Sequence, residues 1–124
     1  TTADLTQGAS VLESYLIANP DAKAIVNVDA NTQCHGVVLR NLGLKGKVVS
    51  AGFDLVPATL NNIIDGYTVF TIDQNPYVQG FYPVLALYLY HEYDIAPGDI
   101  DSGVGIVDAS NVQRVIELAE QGYR

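Results

Sequence analysis

Lys47-Val48-Val49-Ser50-Ala51-Gly52-Phe53-Asp54 sets a β-branched, largely apolar run directly against an aspartate. A strand with one wet face alternates polar and apolar residues; a run without clean alternation suits a strand covered on both faces, as in a parallel sheet. Pro57 follows shortly after and suits the first turn of a helix whose Leu60, Ile63 and Ile64 are apolar before Asp65-Gly66 stops it. The same strand-then-helix unit recurs on either side. Upstream, Ala24-Ile25-Val26-Asn27-Val28 predicts a strand, Asp29-Ala30-Asn31-Thr32-Gln33 is polar, and Gly36 to Leu42 forms a helix closed by Gly43. Downstream, Tyr67 to Ile72 is strand-like and Asp73-Gln74-Asn75-Pro76 breaks it. A long helix then runs from Tyr77 to about Tyr90, with Pro83 inside it as a kink. Leu5, Ala9, Leu12 and Leu16 mark an opening helix ended by Asn19-Pro20-Asp21; Gly103 to Val107 and Asn111 to Gln121 complete the chain as a strand and a helix. The order α-β-α-β-α-β-α-β-α with short connections predicts an α/β fold, a doubly wound parallel sheet.

With 124 residues, 48% hydrophobic and 16% charged, the chain has the mass of one globular domain with a core. Six Lys+Arg against 14 Asp+Glu leave a net charge of −8, and Lys23, Arg40, Lys45, Lys47, Arg114 and Arg124 are scattered, so no nucleic acid or anionic membrane surface is expected as a partner. Apolar stretches such as Pro83-Val84-Leu85-Ala86-Leu87 fall far short of the roughly 18 to 20 residues of a membrane span. The single cysteine, Cys34, excludes an internal disulfide and a cysteine-based metal cluster. The opening Thr1-Thr2-Ala3-Asp4 has neither methionine nor signal-peptide pattern, which predicts a piece of a longer chain or one with its front removed.

In an open parallel sheet, ligands bind at the carboxyl ends of the strands. Those ends carry Asp29 with Asn31 close behind, Asp54, and Asp73-Gln74-Asn75. Each carboxylate accepts from two hydroxyls while an amide both donates and accepts, which suits a neutral polyhydroxylated ligand. Any one of these aspartates alone also serves as a helix N-cap; the recurrence at three strand ends shifts the weight to binding. Enzymatic patterns fare worse. Cys34 and His35, adjacent on a helix, point about 100° apart, so the expectation is a packed cysteine and a surface histidine rather than a nucleophile and base. His91-Glu92 lacks metal-ligand spacing, and Gly103-Val104-Gly105 lacks the third glycine of a dinucleotide fingerprint. No catalytic residue, cofactor or metal is expected. The tyrosines at 67, 77, 82, 88, 90 and 93 fit packing or a partner domain better than a sugar-stacking platform.

From about Leu5 to Val107 the chain resembles the C-terminal part of sugar-binding proteins of ABC importers, in the ribose- and galactose-binding group of type I periplasmic binding proteins. The resemblance rests on Gly52-Phe53-Asp54, then Asp65-Gly66, then Gln74-Asn75-Pro76-Tyr77-Val78-Gln79-Gly80. It implies two Rossmann-like lobes closing on a monosaccharide, of which this chain supplies one wall. Asp54 then takes two adjacent hydroxyls, Gln74 contacts sugar at the hinge, and an extra residue between Asp29 and Gly36 leaves Asp29 and Asn31 as alternatives at the first strand end. The implied organisation is 1–76 as the sugar-binding lobe segment, 77–102 as a crossover helix and loop packed on the N-terminal lobe, and 103–124 as a returning strand and terminal helix. Implied partners are the monosaccharide, the remaining N-terminal portion (as a second chain or replaced by a homo-oligomer) and an ABC permease. The implied place is the periplasm or cell exterior, free or as an anchored lipoprotein. The alternative is the effector-binding core of a lactose-repressor-like transcription regulator, which shares the two-lobed fold.

Overall fold

The computed structural model describes residues 4–123; Thr1–Ala3 and Arg124, with the outermost ends of the first and third expected segments, lie outside the described residues. The Asp4 carboxylate accepts hydrogen bonds from the amides of Thr6 and Gln7 and so starts α1 (Leu5–Ala18). Then follow β1 (Ala24–Val26), a 3-10 turn (Ala30–Gln33), α2 (Cys34–Asn41), β2 (Val49–Phe53), α3 (Pro57–Ile64), β3 (Phe70–Asp73), α4 (Pro76–Tyr93), β4 (Gly105–Asp108) and α5 (Val112–Glu120). Pro57 and Pro76 open α3 and α4, where a missing N–H costs no helical hydrogen bond. The polar stretch after β1 is the 3-10 turn, which brings α2 in two residues before the expected start at Gly36.

The strands lie side by side in chain order, β1, β2 and β3 parallel, as the βα repeat requires. Their inward positions, among them Ile25, Ser50, Gly52, Thr71 and Asp73, face a row of helices in which α1 packs on α2, α2 on α3 and α3 on α5. One core cluster joins Leu16, Ile25, Val38, Leu39 and Val48; a second joins Leu60, Ile63, Val107, Val112 and Val115. Full burial of Leu39 or Leu60 contributes about 1.5–3 kcal/mol each, so loss of either side chain removes a sizeable part of a small domain's stability.

Two particulars depart from an all-parallel, doubly wound sheet. β4 runs antiparallel to β3, pairing Thr71 with Val107 and Ile72 with Ile106. The reason lies in the connection. A parallel return needs a crossover that packs back across the sheet, but α4 buries none of its side chains completely, and the chain re-enters where it left: Asn75 Nδ2 donates to Ser102 O at 2.6 Å. Periodicity carries no strand direction, so this was invisible in the sequence. Second, a helical layer on the other sheet face is not among the described residues, and Val26, Val49 and Ile106 stand exposed there.

Candidate functional site

The end of β2 is held by three hydrogen bonds, two to β3 and one to the first loop. Asp54 N donates to Ile72 O (3.0 Å), extending the ladder to β3 by one rung, Thr71 Oγ1 donates to Asp54 O (2.9 Å), and Phe53 N donates to Thr32 Oγ1 (3.3 Å). These bonds keep Asp54 in the left-handed region, φ 72°, a conformation that few residues other than glycine adopt. From the neighbouring strand end, Gln74 Nε2 donates to Asp54 Oδ1 at 2.8 Å. Asp54 Oδ2 takes no hydrogen bond from the described residues and keeps its acceptor capacity for a ligand. The two side chains line a cavity of about 360 Å³ together with Ala30, Leu55, Pro57 and Pro76. An amide, a carboxylate and apolar walls can hold hydroxyls on one edge of a small molecule and its C–H surface on the other.

The remaining strand-end residues part company. Asp73 also borders the cavity but is fully buried, and its Oδ1 accepts from Asn75 N at 2.8 Å, closing the turn into α4. Asp29 caps the 3-10 turn, accepting from Asn31 N at 2.9 Å, and the first loop meets the cavity through Ala30. Asn31 lines the groove between α1 and β1, where its Oδ1 would stand 3.2 Å from a Cβ on Gly8. Sequence reasoning therefore reaches the pair that the fold brings together, Asp54 and Gln74. The way Thr32 and Gly52 join the first loop to the second is visible only in the fold: Gly52 faces inward in β2, where a side chain would collide with Thr32.

The Cys34–His35 pair forms no nucleophilic site. Cys34 Sγ donates to Leu5 O at 3.3 Å, and burial raises its pKa, so the thiol stays protonated. His35 is not on the helix surface as expected: it is 2% exposed, because the face of α2 that carries it packs on the sheet, where Ser50 Oγ lies 2.7 Å from its Nδ1 and gives the buried ring a hydrogen-bond partner. Burial lowers its pKa to about 4. Among the described residues no group of three or more His, Cys, Asp or Glu is placed to hold a metal, and no helix is long and apolar enough to cross a membrane.

Parallel strands whose carboxyl ends line a polar cleft are the arrangement in which open α/β sheets bind ligands. The chain belongs to the periplasmic binding protein domain family, whose profile matches residues 1–92. It is 48% identical to the xylose/arabinose-binding protein XylF of Sulfolobus acidocaldarius, over 84% of this chain and 28% of that relative. An ABC transporter solute-binding protein from Burkholderia graminis in complex with D-arabinose superposes with a TM-score of 0.80 at 35% identity, covering 87% of this chain and 39% of that one. A carbohydrate transporter protein from Acidothermus cellulolyticus in complex with myo-inositol gives a TM-score of 0.84 at 27% identity, covering 98% and 43%. The chain thus spans less than half the length of each of these proteins.

Proposed function

We propose that this chain forms one wall of the sugar cleft in a solute-binding protein of an ABC importer, outside the cytoplasmic membrane, and catalyses no reaction. The observation that carries the reading is the Gln74–Asp54 bond at the carboxyl ends of adjacent parallel strands, which fixes one carboxylate oxygen and presents the other. Asp54 accepts from two neighbouring hydroxyls of a monosaccharide, Gln74 from a third, and Asp29 or Asn31 acts from the first loop. The names of the relative and of the bound neighbours support pentoses and related neutral sugars, and favour transport over the lactose-repressor-like regulator. In this reading residues 1–76 are the lobe segment, 77–102 pack through α4 on the remainder of a longer protein, and 103–124 return to the sheet. The exposed Tyr82, Val84, Leu87 and Tyr88 of α4 are the surface that such packing covers. An ABC permease is the downstream partner.

Half a cleft neither stacks nor encloses a sugar, so this chain alone binds monosaccharides weakly and the full-length protein is the object to test. Calorimetry with D-xylose, L-arabinose, D-arabinose, D-ribose, D-glucose, D-galactose and myo-inositol is expected to find a ligand for the full-length protein. Asp54→Asn, which removes one charged acceptor, is expected to weaken it by about tenfold to a hundredfold. Unchanged affinity in Asp54→Asn sinks the assignment of Asp54.

A further inference from the structure

We infer that Thr32 is a positioning residue for the sugar site: its one hydroxyl ties the first loop of the cleft to the second and thereby aims Asp54. This rests on the monosaccharide reading above. Thr32 is completely buried. Its Oγ1 donates to Asp29 O at 2.8 Å and accepts from Phe53 N at 3.3 Å, so a single oxygen joins the chain leaving β1 to the chain leaving β2. Phe53 N belongs to the residue directly before Asp54, whose left-handed backbone needs outside bonds to hold it.

Gly52 makes the arrangement possible. A Cβ at that position would stand 2.0 Å from Thr32 Oγ1 and 2.5 Å from its Cγ2, so the threonine occupies the volume that the glycine vacates. A hydroxyl both donates and accepts at one atom; valine fills the same volume and makes neither bond. Without them Asp29 O and Phe53 N are left without this partner, and the end of β2 is held by β3 alone. A displacement of a few tenths of an ångström there moves the Asp54 carboxylate, and hydrogen bonds weaken steeply with misalignment. A distance set inside the domain thus governs an affinity measured at its surface.

The experiment compares Thr32→Val and Thr32→Ser in the full-length protein, by calorimetry with the tightest-binding sugar of the panel above, well below each variant's melting temperature. Thr32→Val is expected to weaken binding about tenfold and Thr32→Ser, which keeps the hydroxyl, by less than about threefold. In an Asp54→Asn background the Thr32→Val loss should shrink to about twofold or less, because its effect passes through that carboxylate. If Thr32→Val does not fold, Thr32→Ala provides the same comparison. Near-native affinity in Thr32→Val, an equal loss in Thr32→Ser, or a loss undiminished by Asp54→Asn overturns the inference while the sugar reading stands. A wild-type protein that binds no sugar of the panel overturns the sugar reading itself, and the inference with it.

Discussion

One glycine shows how a single position controls this fold. Gly36, fully inside α2, lies against Asn62 of α3; a Cβ there would come 1.9 Å from Asn62 Oδ1. Asn62 cannot simply swing away, since its Nδ2 donates to Gln33 O at 3.0 Å and so satisfies the carbonyl that precedes α2. Gly36→Ala is therefore expected to destabilise the protein by about 2–3 kcal/mol in urea titration, against the usual gain from alanine in a helix. Adding Asn62→Ala removes the obstruction, so the double variant should lose clearly less than the two single losses combined. Simple additivity would show that the two residues do not meet. The glycine was legible in the sequence as a helix residue, but its reason was not, because Asn62 lies 26 positions away and only the tertiary fold joins them.

Helix α2 carries a second consequence. His35 is pressed onto β2, where its Nδ1 meets Ser50 Oγ, which in turn lies 3.1 Å from Thr68 Oγ1. In the unfolded chain the imidazole titrates near its ordinary 6.5, and in the folded protein near 4. Between those values the unfolded state holds a proton that the folded state lacks, so acid favours unfolding. The His35 contribution is complete above about pH 6.5 and is lost as pH falls toward 4, for a total of about 3 kcal/mol. His35→Gln keeps a hydrogen-bonding group without this titration. Its melting temperature should fall less than that of the wild type between pH 7 and pH 4.5; equal falls would show that His35 does not supply the acid sensitivity. Element positions were largely legible because β-branched runs, Gly stops and Pro starts are local signals. The inward turn of His35 was not, since the face of α2 that meets the sheet is set by tertiary packing against Ser50, 15 positions away in the chain.

At the scale of the whole molecule, apolar exposure dominates. Val26, Val49 and Ile106 on the uncovered sheet face and Val84 and Leu87 on α4 are all more than half exposed, and apolar side chains left open in this way favour association. The 124-residue chain alone is expected to enhance the fluorescence of a hydrophobic dye such as ANS and to sediment as a concentration-dependent oligomer, whereas the full-length protein should do neither. A dye-silent monomer of the short chain would show that α4 folds back and covers the face. The sheet's composition and three parallel strands followed from the βα repeat, while the direction of β4 depended on where the chain returns. That return joins two stretches at one point: Asn75, left-handed at φ 52°, reaches across to Ser102. The bond fastens the chain entering α4 to the chain returning from it, so any movement of α4 that parts these two stretches must break it, at a cost of about 1 kcal/mol.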